Sequence, residues 1–196
     1  MIARTLEGLR WLPRALAGLR TAGLLRGLPP RAAARLASDL RRTGATAAAL
    51  CHLAAARAPE RPAVIDDEGE LSWRELNRRV LRLRAGLAAR YGIGHGRIVG
   101  VLCRNHRGFV TSVWAAGSLG AEILLLNTDF PARQLEQVLA RHRLDALICD
   151  AEFLPMLREA GFTGVPVVAD ATDTAGAESL DGLITADSPE PGRAGG

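Results

Sequence analysis

Leucines at positions 6, 9, 12, 16 and 19 recur at intervals of three and four, which places them on one face of a helix. Pro13 falls either in the first turn of that helix or at a kink in it. The pattern breaks between Gly27 and Pro30. A second helix is predicted over 31–42, with Gly44 placed as its C-cap, and an Ala-rich third over 46–57. Pro59 and Pro62 then stop helix formation.

Beyond Pro62 the periodicity shortens. An apolar run over 63–66, the turn residues Asp67-Glu68-Gly69 and a return over 70–72 predict a small β-hairpin. Ser72 followed three residues later by Glu75 is a capping box. It opens a long helix with Leu76, Val80, Leu83 and Leu87 on one face, ending near Tyr91-Gly92. Strands and helices then alternate. Strands are predicted over 98–103, 123–126, 146–149 and 165–169. Helices are predicted over 107–119 (stopped by Gly120), 131–142 (with Pro131 in its first turn) and 153–160. These strands are unbroken apolar runs, as burial on both faces requires. With helical crossovers between them they define an α/β fold, a mostly parallel sheet with flanking helices, preceded by a basic helical arm. After Asp170 the chain turns small and polar, with one weak helix over 177–184 and a Pro/Gly-rich linker over 188–196. The expected organisation is an arm (1–44), an α/β body (45–187) and the linker.

Charge divides the chain at the same place. Residues 1–43 hold nine arginines and two acids, Glu7 and Asp39, whereas the remainder holds sixteen arginines and nineteen acids. A basic arm thus precedes a mildly acidic body. Two readings of the arm stay open, a solvated helical extension and contact with an anionic membrane surface. Arg10, Arg14 and Arg20 interrupt any secretory apolar core, although an Arg-rich, acid-poor start also fits a mitochondrial transit peptide. The longest apolar stretch, 45–56, is shorter than the about 20 residues that span a bilayer. Three cysteines, Cys51, Cys103 and Cys149, show no CxxC spacing and are expected to be reduced, in a cytoplasmic setting, with Cys103 and Cys149 buried in the core. The 48% hydrophobic composition supplies a core and excludes disorder throughout.

The chain contains no lysine. No P-loop lysine, Schiff-base lysine or lysine phosphate clamp can therefore form. Tyr91-Gly92-Ile93-Gly94-His95-Gly96 resembles a glycine-rich phosphate loop but follows a helix and precedes a strand, the reverse of the dinucleotide arrangement, and is expected to be an αβ turn. The better placed candidates are Asn105, His106 and Arg107, just past a strand's carboxyl end and leading into a helix N-terminus. Asn127 and Thr128 hold the equivalent place after the next strand. The competing reading makes Asn105 a helix cap, Arg107 a solvated side chain and the Asn127 region a turn. His52, His95, His106 and His142 show no metal-ligand spacing in sequence, so no metal site is expected. The arginines are not interleaved with aromatics and the body is acidic, which argues against nucleic acid as a partner.

Several segments resemble the N-terminal part of the AMP-forming acyl-CoA synthetases, the adenylate-forming ligases. They are Ala58-Pro59-Glu60-Arg61-Pro62-Ala63, Leu71-Ser72-Trp73-Arg74-Glu75-Leu76-Asn77-Arg78, Gly94-His95-Gly96-Arg97-Ile98-Val99-Gly100-Val101-Leu102 and the run from Leu119-Gly120-Ala121-Glu122 to Ile123-Leu124-Leu125-Leu126-Asn127. Asn105-His106-Arg107-Gly108-Phe109 and Leu126-Asn127-Thr128 are similar to the fatty-acid–CoA ligase branch. Arg97 stands where the family more often has Asp. The resemblance covers roughly residues 46 to 185. It implies a parent that activates a carboxylic acid with ATP and magnesium and transfers the acyl group to coenzyme A. The family's Ser/Thr/Gly phosphate loop ending in Lys, its nucleotide pocket and its magnesium Glu have no counterpart here, so no catalytic or cofactor-binding residue is assigned. Asn105, His106, Arg107, Asn127 and Thr128 are expected at most at the rim of a substrate site. The expected protein is an N-terminal ligase fragment, inactive alone, whose partner is the missing ligase half. The alternatives are a non-catalytic module of the ligase fold held at an anionic membrane, and an unrelated small α/β nucleotide binder.

Overall fold

The computed structural model describes residues 47–170 and 177–185, with four isolated positions further up the chain, Ala17, Gly18, Thr21 and Ala34. The expected arm and the 188–196 linker therefore lie outside the described residues apart from those four.

Helix α1 (Ala47–Arg57) leads into the hairpin β1 (Pro62–Asp66) and β2 (Gly69–Ser72), which pair antiparallel with an irregularity between Pro62 and Val64. The turn closes through Gly69 at φ 96°, a left-handed conformation that costs glycine little. Helix α2 (Trp73–Tyr91) begins on the expected capping box. The Ser72 hydroxyl accepts from the Glu75 N–H (3.3 Å) and the Glu75 carboxylate accepts from the Ser72 N–H (3.1 Å). The helix ends at Gly92, left-handed at φ 61°, whose N–H bonds to the Leu87 carbonyl. The glycine-rich stretch around Gly94 is thus an αβ turn.

A five-stranded, all-parallel sheet follows: β3 (Ile98–Leu102), β4 (Glu122–Leu125), β5 (Ala146–Cys149), β6 (Val167–Val168) and β7 (Glu178–Ser179), in the order β4-β3-β5-β6-β7. Helices α3 (Arg107–Ser118), α4 (Ala132–Arg141) and α5 (Leu154–Glu159, entered through a 3₁₀ turn at Ala151–Phe153) connect the strands, and α6 (Leu180–Thr185) follows β7. Four strands were expected. The fifth is two polar residues that the sequence assigns to the weak helix over 177–184, and it forms because β6 offers it a ladder.

Alternation along the strands makes two cores. Val99, Val101, Cys103, Ala146, Ile148 and Val167 face α1, α2, α3 and α6, whereas Leu102, Leu147 and Cys149 face α4 and α5. Gly100 faces the second core so closely that a Cβ there would meet the Leu144 and Leu147 side chains at 2.7 and 2.8 Å. All three cysteines are buried, and burial pushes the thiol pKa of Cys51 and of Cys149 up to about 12. At the amino edge, Asp145 accepts from the Ile98 N–H (2.8 Å) and from Arg97 (2.7 Å), joining the start of β3 to the start of β5. At that position the departure from the family pattern acquires an ion pair. No described helix is long and apolar enough to cross a membrane.

Candidate functional site

Because the sheet is parallel, the residues that follow β3, β4, β5 and β6 emerge on one rim. From β3 the chain crosses to β4 on one side, and β5 then lies on the other. The carboxyl ends of β3 and β5 therefore part at the topological switch point, where open α/β sheets form their ligand crevice.

His106 and Asp150 meet there. Asp150 is 2% exposed, and its Oδ2 accepts from the Arg104 N–H (2.6 Å) while Oδ1 lies 2.8 Å from His106 Nε2. His106, not Asn105, is the N-cap of α3, because its Nδ1 accepts from the Gly108 N–H at 3.0 Å. That bond fixes the tautomer. With Nδ1 accepting, the ring proton sits on Nε2 and is donated to Asp150. The bond His106 donates to Asp150 holds the His106 pKa above its ordinary value, with burial opposing. For Asp150 burial acts to raise the pKa, but the bonds from His106 and from the Arg104 N–H outweigh it and the net shift is downward. Gly108 is required by this packing: a Cβ there would lie 2.6 Å from the imidazole and 2.9 Å from the Ala169 carbonyl oxygen. Cys103 is the third member of the group. Its Sγ, the His106 ring nitrogen and the Asp150 carboxylate lie within 4.8 Å of one another. Burial first, then Asp150, drives its thiol pKa far up, so it is no nucleophile.

Arg107 is not a solvated side chain. Its backbone N–H donates to Asp66 Oδ2 (2.9 Å), and its guanidinium grips Asp66 through Nε (2.9 Å to Oδ2) and Nη2 (2.5 Å to Oδ1). A further bond reaches the Gly69 carbonyl (3.0 Å). The Asp66 and Arg107 side chains are 7% and 12% exposed, and the Arg107 hydrogen bonds hold the Asp66 pKa well below the carboxylate range. This pair ties the hairpin to the start of α3. Arg104 reaches outward to Glu152 (2.8 and 3.2 Å) and to the Thr128 hydroxyl (3.5 Å), with its guanidinium over the Phe153 ring. Asn127 Oδ1 accepts from the Asp129 N–H (3.0 Å), which is the expected turn. Asn105 and Asn127 are exposed, and Thr128 is half-buried.

Of the residues chosen from sequence, His106 and Thr128 thus contact the strand-end network, Arg107 serves the hairpin and Asn127 its own loop. Sequence reasoning missed Asp66, Cys103, Arg104, Asp150 and Glu152 as site members. Asp150 had a usable signal, a carboxylate directly after a fully apolar strand. Cys103, His106 and Asp150 are too far apart in sequence to form a spacing motif, and the β3–β5 pairing brings them together.

These residues do not fit a magnesium–nucleotide triphosphate. The guanidinium groups of Arg104 and Arg107 are committed to Glu152 and Asp66, and the carboxylates of Asp66, Asp150 and Asp170 stand on the rim.

The family described as AMP-binding enzyme matches residues 51–192. Surfactin synthase subunit 1 of Bacillus subtilis (strain 168) is 27% identical over 134 residues, which cover 68% of this chain and 4% of that protein. Among solved structures, a benzoate CoA ligase from Burkholderia xenovorans LB400 aligns with TM-score 0.66 at 19% identity, over 77% of this chain and 30% of that one. A Mycobacterium tuberculosis fatty acyl CoA synthetase aligns with TM-score 0.61 at 20% identity, over 75% and 30%. The chain therefore spans a minor part of the length of the relatives it matches. With a family match across most of the body and a parallel sheet that overlays the N-terminal subdomain of these enzymes, the chain belongs to the AMP-binding enzymes, the adenylate-forming ligases.

Proposed function

We propose that this chain is the N-terminal part of an ATP-dependent fatty acid–CoA ligase. The intact parent would convert a carboxylate, ATP and CoA to acyl-CoA, AMP and pyrophosphate, and the 196-residue chain would be inactive alone. Enzymes of this family use ATP and CoA. The observation that carries the reading is a family match over 51–192 on a chain without a single lysine. Adenylate formation is an in-line attack at phosphorus whose developing charge needs positioned cations and backbone donors. Here the rim arginines are neutralised by carboxylates. A fatty acid as the substrate is supported by the Asn105-His106-Arg107-Gly108-Phe109 and Leu126-Asn127-Thr128 segments. In this reading Asn105, His106, Arg107, Asn127 and Thr128 border the substrate side of the parent's site.

The test is an acyl-CoA formation assay on the purified chain with medium- and long-chain fatty acids, and with benzoate for comparison, in the presence of ATP, magnesium and CoA. No product is expected from the chain alone. The coding sequence downstream of Gly196 should encode a Ser/Thr/Gly-rich loop followed by Lys, and expression of that longer product should give turnover on fatty acids. Turnover by the short chain would overturn its inactivity, and turnover by the longer product on benzoate alone would overturn the fatty-acid assignment.

The excess of seven positive charges in residues 1–43 favours a second reading, a module of the ligase fold held at an anionic membrane. It requires cosedimentation with anionic vesicles at low salt that is lost from a chain lacking residues 1–43.

A further inference from the structure

We propose that Cys103, His106 and Asp150 form a binding site for a zinc-type divalent metal ion at the β3–β5 switch point. The three side chains come from the end of β3, the N-cap of α3 and the residue after β5, and their ligand atoms lie within 4.8 Å of one another. Zinc bonds of about 2.0 to 2.3 Å in a tetrahedron separate neighbouring ligand atoms by roughly 3.3 to 3.8 Å. Loading the site therefore needs the most distant ligand atoms to close by up to about 1.5 Å and the 2.8 Å contact between His106 and Asp150 to open.

Asp150 is what makes this group unlike an ordinary polar cluster. Its carboxylate is 2% exposed, and neither of its two nitrogen donors carries a permanent positive charge. One is the Arg104 backbone N–H. The other is an imidazole whose opposite nitrogen already accepts from Gly108. The Arg104 guanidinium is turned away to Glu152. Its hydrogen bonds from His106 and the Arg104 N–H keep the carboxylate anionic, and a divalent ion would add a full positive charge that neither donor carries. The donor set of one thiolate, one imidazole and one carboxylate selects zinc, or cobalt as its surrogate, over magnesium or calcium. Three protein ligands leave one tetrahedral position open to water or to a substrate oxygen.

Binding releases one proton to solvent, from the Cys103 thiol, while the single proton of the neutral imidazole moves from Nε2 to Nδ1. The ring then gives up the bond from Gly108. The inference holds whichever carboxylate the parent activates.

The test is titration of the reduced full chain with Co(II) under anaerobic conditions. One equivalent should produce a near-ultraviolet sulfur-to-cobalt charge-transfer band with the visible bands of a tetrahedral site, and Zn(II) should displace them. Cys103→Ser should abolish the charge-transfer band, and Asp150→Asn should weaken binding at least tenfold. Cys51→Ser and Cys149→Ser should leave the spectrum unchanged, with circular dichroism confirming that each variant is folded. Absence of a charge-transfer band in the folded wild-type chain, or a band that survives Cys103→Ser, would overturn the proposal.

Discussion

Asp66 and Arg107 show what a single pair can hold. Each is largely covered by its neighbours, and together they join the hairpin to the N-terminus of α3, where an anion is favoured. Asp66→Asn leaves the guanidinium without its counter-charge and is expected to cost about 3 kcal/mol, measured by urea unfolding. The sign of the pH effect follows from the lowered Asp66 pKa. The pair's contribution is fully present above the unfolded carboxylate value of about 3.9 and is lost as pH falls through the folded value. The wild type should therefore lose this increment in acid, while Asp66→Asn should have a flatter acid limb. Gly108→Ala is the second residue-scale case. Its Cβ collides with the His106 ring, so it should destabilise the protein by about 1 to 3 kcal/mol. It should also perturb the His106 ring resonances in NMR, which an ordinary helix alanine would leave alone.

At the scale of elements, α2 rests on its ends as well as its buried face. Ser72→Ala removes the hydroxyl that accepts from the Glu75 N–H, leaving only the backbone half of the capping box, and should cost about 1 kcal/mol in thermal or urea unfolding. That cap was legible in sequence because its two partners stand three residues apart. The apolar strands β3, β4 and β5 were equally legible, since burial on both faces leaves no polar position to blur them. β7 was not, because Glu178 and Ser179 carry no strand signal and pair only once β6 is in place. What holds that strand is a long-range contact, the Tyr91 hydroxyl donating to the Glu178 carboxylate, which also accepts from Arg90 at 2.8 Å. The site divides in the same way. His106 lay in a window that strand-end logic singles out, but its partner Asp150 is separated from it by two crossovers. No local pattern joins residues that only the strand order brings together.

For the molecule as a whole, the sheet is asymmetric. Among the described residues β4 has a neighbour on one side only, and Leu125 on it is 58% exposed. An open edge with an apolar side chain favours edge-to-edge pairing. Size-exclusion chromatography at rising concentration should show self-association, and Leu125→Lys should shift the population toward monomer. A wild-type chain that stays monomeric throughout would favour an independently evolved module over a ligase part.

The last described helix closes on the first long one. Gly86 of α2 lies so near Leu183 that a Cβ would meet its carbonyl oxygen at 3.1 Å, and Arg79 reaches Asp181 at 2.6 Å. Residues about a hundred positions apart must therefore both exist before that seam can seal. During synthesis the flank of α2 around Gly86 stays uncovered until residues near 183 have cleared the ribosome, which leaves a defined interval in which a chaperone can engage the nascent chain.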